Sequence, residues 1–483
     1  MQQFLEPEQY LPVYEFDVVV AGGGTAGVIA AVAAARNGAK AALIEAKGYV
    51  GGTMLEGGTT LHSFFTLGKY FNRESRQVVK GLAQELIDRL VAVGGSTGHL
   101  TDPVGIDYDE HCTLIDVESV KLVEAEMLEE AGVKIWFNTL VAGADCEDGH
   151  IRGLIAQSRT EGRLYFRAKA FIDATGWGDF SAYAGADYVV PKEYSVANSV
   201  GVAGVDVERY AEYIRENGGL TGLTYGPRDG EEQIVRIGAA FHKVLSTLMA
   251  QYKKSRGETP DLSEEELAKN RIPIEFQREM AKLALTLGIT TMHDGYFMYL
   301  KCNYVMKNGL DSQEEMTKAE IELRRRQAAA IKLLKKYIPG CEKAFIARTS
   351  PTLCTRRGRT VICDYDISNQ DILEGRHFDD DIAFFGFHDL SPKMHVGGDG
   401  TYGIPLRAIL VKNIDNLFAV GMMISTEYEA YMSTRNTVSC MAQGQAAGTL
   451  AAMAAAAGKL PREVSYQELK TRLVEDGVYL GEE

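Results

Sequence analysis

The sequence predicts an α/β fold with a parallel sheet near its start, and three observations within one stretch predict it. From residue 16 to residue 48 the chain reads FDVVVAGGGTAGVIAAVAAARNGAKAALIEAKG. Residues 16–21 are apolar and β-branched without alternation, the pattern of a strand buried on both faces. Gly22, Gly24 and Gly27 then fall in G-x-G-x-x-G spacing and lead into an Ala-rich helix over 28–37, with Gly38 as its cap. A second strand, 39–44, ends in the acid Glu45.

Each element has a physical reason. Gly22 permits a tight turn, Gly24 lets backbone approach a pyrophosphate, and Gly27 lets helix and strand pack closely. The helix N terminus, at Thr25 and Ala26, turns amides and a partial positive charge toward a diphosphate. A carboxylate at Glu45 takes both hydroxyls of an adenosine ribose, which suits an unphosphorylated ribose and leaves NAD and FAD. Strand, glycines, helix, strand and acid come in the order that gives the motif its meaning. The plainer alternative is a glycine-rich turn that holds nothing.

The 483 residues are enough for two or three domains. A hydrophobic content of 46% with 24% charged residues is that of a globular chain. The net charge of -15 opposes nonspecific binding to nucleic acid or anionic membrane. No run of about 18 apolar residues reads as a membrane span. The opening MQQFLEPEQYLPVYEFD lacks the charged and apolar regions of a signal peptide. Cysteines are scattered with no C-x-x-C, which argues against a zinc site or redox disulfide and fits reduced thiols. The expected setting is cytoplasmic, no metal is expected, and self-association stays open.

After Glu45, KGYVGGTMLEGGTTLHSFFTLG reads as a loop threading close to a ligand. Residues 78–93 and 117–131 read as amphipathic helices. VKIWFNTLVAGADC, HIRGLIAQSR and RLYFRAKAFIDATG read as strands, the last ending at Thr175 and Gly176. Between about 204 and 345 charged helices are predicted at 207–216, 233–252, 263–269, 275–287 and 317–337, with TTMHDGYFMYLKCNYVM as strand among them. Strand and irregular structure rich in Arg, Asp and His follows to residue 399. The tail reads as a buried strand, a polar loop and a long Ala-rich helix.

Four segments now combine: the opening stretch with Glu45, GYVGGTMLEGG, AKAFIDATGWGDFSAYAGADY, and YGIPLRAILVKNIDNLFAVGMMISTEYEAYMSTRNTVSCMAQGQAAG. Together they resemble the FAD-dependent oxidoreductases of the glutathione-reductase-like flavoprotein fold. More narrowly they are similar to a group that is distant kin of the succinate dehydrogenase and fumarate reductase flavoproteins. The resemblance covers residues 16–458 and is weakest over 204–290. It implies noncovalent FAD rather than NAD, held in a discontinuous Rossmann-like domain of residues 14–203 and 401–460. A mixed helical and β substrate domain, 204–400, would be inserted between, with a C-terminal helix and tail at 461–483. The cofactor contacts it implies are Gly22, Gly24, Thr25, Ala26, Gly27, Glu45, Ala46 and Lys47 in the first segment. To these it adds Gly51, Gly52, Thr53 and Gly58 in the second and Val141, Ala174, Thr175 and Gly176 further on. Gly421, Arg435, Asn436, Thr437 and Gly444 complete the set. The helix opening near Thr437 would aim its dipole at the pyrimidine edge of the flavin. Three departures from the relatives stand out: Gly421-Met422 for their Gly-Arg, Tyr428 and Tyr431 for a His, and Arg356-Arg357-Gly358-Arg359 for an Arg-Glu-Ser-Arg-like motif.

In a flavoenzyme the cofactor carries the redox chemistry and the protein supplies orientation, charge and protons. Arg356, Arg357 and Arg359 suit a carboxylate or phosphate, or else simple ion pairs. His388 and His395 precede the last segment and are candidate acids or bases, or else loop histidines. His62 is a candidate for substrate contact or a covalent flavin link, or else packing. Tyr431 is a candidate proton donor, Arg435 a candidate ligand for substrate or flavin, and His293 a weaker candidate. The expected function is FAD-dependent hydride transfer with a small polar or anionic organic substrate and an unknown electron partner. The rivals are a non-redox flavoenzyme, such as an isomerase or hydratase, and a flavin-binding subunit of a larger redox assembly.

Overall fold

A computed structural model describes residues 8–57, 63–68, 71–101, 110–191, 194–239, 271–285, 287–306, 312–355, 357–391 and 394–481. Its centre is a five-stranded sheet in the order Leu417–Ala419, Ala170–Asp173, Val18–Ala21, Ala41–Ile44, Lys134–Trp136. Every pairing in it is parallel. Val18–Ala21, Ala41–Ile44 and Ala170–Asp173 are buried at every position, which is why their sequences run apolar without alternation. The predicted α/β fold is present, and the C-terminal strand completes a sheet begun at the N terminus.

The helix after the first strand spans Thr25–Arg36 and will be called the fingerprint helix. It crosses the closing helix, Thr437–Ala457, which is buried on nearly every side. The closing helix has no amphipathic stripe because it is a core element and its small residues set how near its neighbours come. A methyl group at Gly444 would collide with the Ala26 carbonyl oxygen, and one at Gly448 with that of Ala30. The two helix backbones therefore touch directly. A second, four-stranded sheet of Val13–Glu15, Gly162–Arg167, His150–Ser158 and Thr139–Glu147 flanks this core.

The intervening segment has its own apolar core. Tyr194–Ala203 pairs antiparallel with Tyr296–Met306 and with Phe345–Thr349. The long helix Gln313–Tyr337, capped by the Ser312 hydroxyl, packs its buried Leu323, Ala330 and Leu334 into that core. Helices Val207–Glu216 and Ile274–Leu283 stand where charged amphipathic patterns predict them. The helix predicted over 233–252 is corrected: Glu231–Ala239 is a strand, paired with Leu220–Arg228. Ile234, Val235 and Ile237 are β-branched, and cross-strand burial outweighs the helical reading of their charged neighbours. The remainder of that segment, and the helix predicted at 263–269, lie outside the described residues.

Candidate active site

A cleft of about 330 Å³ runs along the ends of the parallel strands. One end is built from the opening stretch. Gly22 turns at φ +99°, and a Cβ there would lie 2.6 Å from the Ala174 carbonyl oxygen. The loop of Gly51 and Gly52 lies against this turn. Gly51 N–H donates to Gly23 O at 2.9 Å, and the Thr25 hydroxyl donates to Gly51 O at 3.2 Å. Gly52, at φ +48°, brings its would-be Cβ to 2.8 Å from Gly24 Cα. Only glycines build such a backbone cradle. The fingerprint helix opens onto it with no side chain capping its first amides, since its N-cap is Gly24.

Glu45 lies beside this cradle, 8% exposed. Its Oε2 accepts from Gly23 N–H at 2.7 Å and its Oε1 from Lys47 N–H at 2.8 Å. Burial pushes its pKa up, and the Lys47 and Gly23 amides and the Lys47 charge hold against that rise. Each oxygen keeps a lone pair for a further donor. Lys47 in turn ion-pairs with Glu56, a cleft residue to which the Tyr49 hydroxyl also donates.

The middle of the cleft is the turn after Ala170–Asp173. Asp173 is fully buried, and burial pushes its pKa up against four donors: Thr175 N–H and hydroxyl on Oδ1, Ser181 N–H and hydroxyl on Oδ2. These bonds fix Ala174, Thr175 and Gly176 at the cleft wall. Arg359 fastens the next few residues, donating to Trp177 O at 2.9 Å and to Asp179 at 2.7 Å. The arginine read as a catalytic candidate thus serves an internal ion pair.

The far end is the start of the closing helix. Its N-cap, Asn436, makes no capping bond to the first-turn amides, and Thr437 and Arg435 line the cleft. Gly421, also lining, donates its N–H to the Gln443 side chain at 2.8 Å. Arg435 is ion-paired with Asp389. Burial works most strongly against its charge, and the Asp389 carboxylate together with Tyr431, Cys354 and Cys440 outweighs burial, so its pKa is raised. Tyr431, 4% exposed, stacks near both Arg357 and Arg435, and its hydroxyl donates to Met422 Sδ at 4.0 Å.

The predicted residues divide clearly. Gly22, Gly24, Thr25, Ala26, Glu45, Ala46, Lys47, Gly52, Thr53, Val141, Ala174, Thr175, Gly176, Gly421, Arg435 and Thr437 all line the cleft. Gly27 and Gly444 serve close packing instead, each without room for a methyl group, and Gly51 props the cradle from behind. His388 is fully buried behind Asp389. The Leu390 N–H donates to its Nδ1, which places the ring proton on Nε2. Burial drives its pKa down to about 4, so it is neutral at physiological pH. His395 stacks on Phe71 at 4.1 Å, away from the lining residues. His293 pairs with Asp229 at an exposed position of the inserted segment. His62, Gly58 and Arg356 lie outside the described residues. Sequence reasoning missed Trp177, Asp179, Thr352, Leu353, Thr355 and Cys440 on the wall. The first two follow the Ala-Thr-Gly strand end and were within reach. The threonines come from a loop of the inserted segment whose sequence carries no such signal.

The residues fit a dinucleotide. Two helix N termini without side-chain caps face one cleft, a glycine cradle leaves backbone amides at one of them, and a buried carboxylate stands beside it. Among the described residues no helix is long and apolar enough to cross a membrane, and no group of His, Cys, Asp and Glu is arranged to hold a metal ion.

The family match agrees with this reading. The family described as FAD dependent oxidoreductase matches residues 17–473. A search of curated proteins finds no match. Among solved structures, a geranylgeranyl bacteriochlorophyll reductase-like protein of Thermoplasma acidophilum is 13% identical over 96% of this chain and 84% of its own, with a TM-score of 0.46. A flavoprotein/dehydrogenase of Cytophaga hutchinsonii is 11% identical over 96% and 83%, with a TM-score of 0.45. A p-nitrophenol 4-monooxygenase of Pseudomonas putida is 12% identical over 97% and 85%, with a TM-score of 0.43.

Proposed function

Since the chain belongs to the FAD-dependent oxidoreductase family, we propose that it transfers hydride between noncovalently bound FAD and a small polar or anionic organic molecule. We place it in the glutathione-reductase-like branch, because the Ala-Thr-Gly strand end and the returning C-terminal helix occur together at one cleft. The observation that carries the reading is the charge layout of that cleft. It is built for phosphate and ribose at the Glu45 end, and its other end is the uncapped start of the closing helix beside the ion-paired Arg435.

The residues divide the work. The cradle of Gly22, Gly24 and Gly52, with the fingerprint helix behind it, would hold the pyrophosphate, and Glu45 the ribose. Thr437 and the uncapped start of the closing helix would favour negative charge at the far end. FAD, when bound, supplies the hydride acceptor or donor. Arg435, neutralised by Asp389, shapes the wall rather than adding charge to it. The Tyr431 hydroxyl holds a proton beside Met422, and His388 holds one on Nε2 without taking up a second at neutral pH.

The test is an absorption spectrum of the purified protein before and after denaturation, then anaerobic titration with small hydroxy acids and sugars. The expected result is a flavin spectrum that passes into the supernatant and bleaches with at least one substrate. A colourless protein that takes up no added FAD would refute the proposal. Turnover with no net electron transfer would favour the isomerase or hydratase reading.

A further inference from the structure

We infer that Glu320, on the long helix Gln313–Tyr337, is a positioning residue of the FAD site, fixing the stretch 350–353 through which the inserted segment supplies part of the cleft wall. The inference rests on the proposal that the cleft takes FAD, and it adds to that site a residue lying outside the cleft.

Three wall residues, Thr352, Leu353 and Thr355, come from one short run of chain. Thr355 is fixed by pairing: it stands opposite Val196, as Cys354 stands opposite Ala197. Residues 350–353 lie between the strands Phe345–Thr349 and Cys354–Thr355 and belong to neither. A single carboxylate oxygen fixes the two of them that line the cleft. Glu320 Oε1 accepts from the Thr352 hydroxyl at 2.7 Å and from the Leu353 N–H at 2.8 Å. Both are charge-assisted hydrogen bonds, the stronger kind.

The rest of the helix face serves the same stretch. Arg324 donates to the Pro351 carbonyl at 3.1 Å, and the same nitrogen lies 3.7 Å from Glu320 Oε2. Gln327, which is buried, donates to Asn198 Oδ1 at 2.7 Å, and Asn198 donates to the Thr352 carbonyl at 3.4 Å. Ser350 N–H donates to Ser199 O at 3.1 Å. Glu320, Arg324 and Gln327 are spaced by four and three residues, which sets them on one face of the helix. Each residue from 350 to 353 thus has a partner on that face or on the strand Tyr194–Ala203. A wall ordered only when its ligand arrives costs affinity, and a wall ordered beforehand does not. Glu320 is absent from the cleft lining, so its effect on a ligand passes through Thr352 and Leu353.

The test is titration of the apoprotein with FAD, read by flavin fluorescence, with the visible circular dichroism of the bound flavin as a second signal. Glu320→Ala removes the shared acceptor and should weaken FAD binding roughly three- to thirtyfold, the cost of ordering a few side chains on binding, and change the circular dichroism. Glu320→Gln keeps an oxygen for both donors and should stay within about threefold of the parent. Ser312→Ala removes the cap of the same helix, whose hydroxyl accepts from the Glu315 N–H at 3.2 Å, without touching residues 350–353. It should lower the unfolding temperature and leave FAD affinity unchanged. If Glu320→Ala does not fold, Glu320→Asp keeps the charge one methylene short of both donors and should weaken FAD binding in the same direction. Parental FAD affinity in the Ala variant or in its Asp substitute would overturn the inference and leave the FAD site standing. So would a loss in Glu320→Gln as large as in Glu320→Ala, or an equal loss in Ser312→Ala. A parent protein that takes up no FAD would instead refute the oxidoreductase reading, and the inference with it.

Discussion

At the scale of the residue, two buried acids show how the same chemistry is settled by neighbours. Asp173 has four donors and fixes a turn. Glu124, on the helix Val117–Glu130, has none: both oxygens are buried without a partner, and Oε2 sits 3.1 Å from the place a Cβ would take on Gly51. Burial raises its pKa from the ordinary 4.5 to about 8, so the folded protein carries a proton that the unfolded chain releases. Between those two values the folded state binds more protons, and stability falls as pH rises. Glu124→Gln should therefore match the parent near pH 5 and exceed it by on the order of 2–4 kcal/mol near pH 8. Urea unfolding at both pH values checks this, and a difference that does not change with pH would refute it. Glu45 was legible in the sequence because its place is fixed by the strand before it and the glycines ahead of it. Glu124 was not, because only packing of its helix under the Gly51 loop turns an acid on an amphipathic pattern inward. The Asp389–Arg435 pair was equally hidden, since its partners come from segments whose approach no local pattern encodes.

At the scale of the element, the crossing of the fingerprint and closing helices sets how near the two cleft-facing N termini come. Gly444 touches the Ala26 carbonyl, in the first turn of the fingerprint helix. Gly444→Ala must push the helices apart, and overpacking of this kind costs roughly 1–3 kcal/mol. The expected outcome is a lower unfolding midpoint together with weaker FAD binding, read by thermal denaturation and by titration of the apoprotein. Stability lost with FAD affinity intact would mean that the crossing does not position the site. Most elements here were legible: buried runs gave the parallel strands, and charged periodic stretches gave helices Val207–Glu216 and Gln313–Tyr337. Glu231–Ala239 was misread because a strand whose outward positions are charged resembles a helix when only composition is weighed, and its hairpin partner is invisible to a local window.

At the scale of the whole molecule, the cleft draws its walls from residues 22–56, 140–141, 174–179, 352–355 and 420–440. A ligand filling it ties together parts of the chain that are distant in sequence. FAD held at a hundredfold above its dissociation constant should stabilise the protein by about 2.7 kcal/mol, and the two ends of the chain should unfold in a single transition. Denaturant titration with and without FAD, followed by far-ultraviolet circular dichroism and flavin fluorescence, checks both. Separate transitions would mean that the inserted segment and the sheet are independent units. The same discontinuity bears on how the protein is made. The sheet lacks its edge strand, Leu417–Ala419, until about 240 residues beyond Ala170–Asp173 have been synthesised. At about 5–20 residues per second, Ala170–Asp173 waits on the order of ten to fifty seconds with one hydrogen-bonding edge uncovered. An apolar, unpaired strand edge is a template for the wrong neighbour. The newborn chain is thus at its most vulnerable in the interval before its tail emerges, and it should depend more on chaperones during that interval than the stability of the finished fold would suggest.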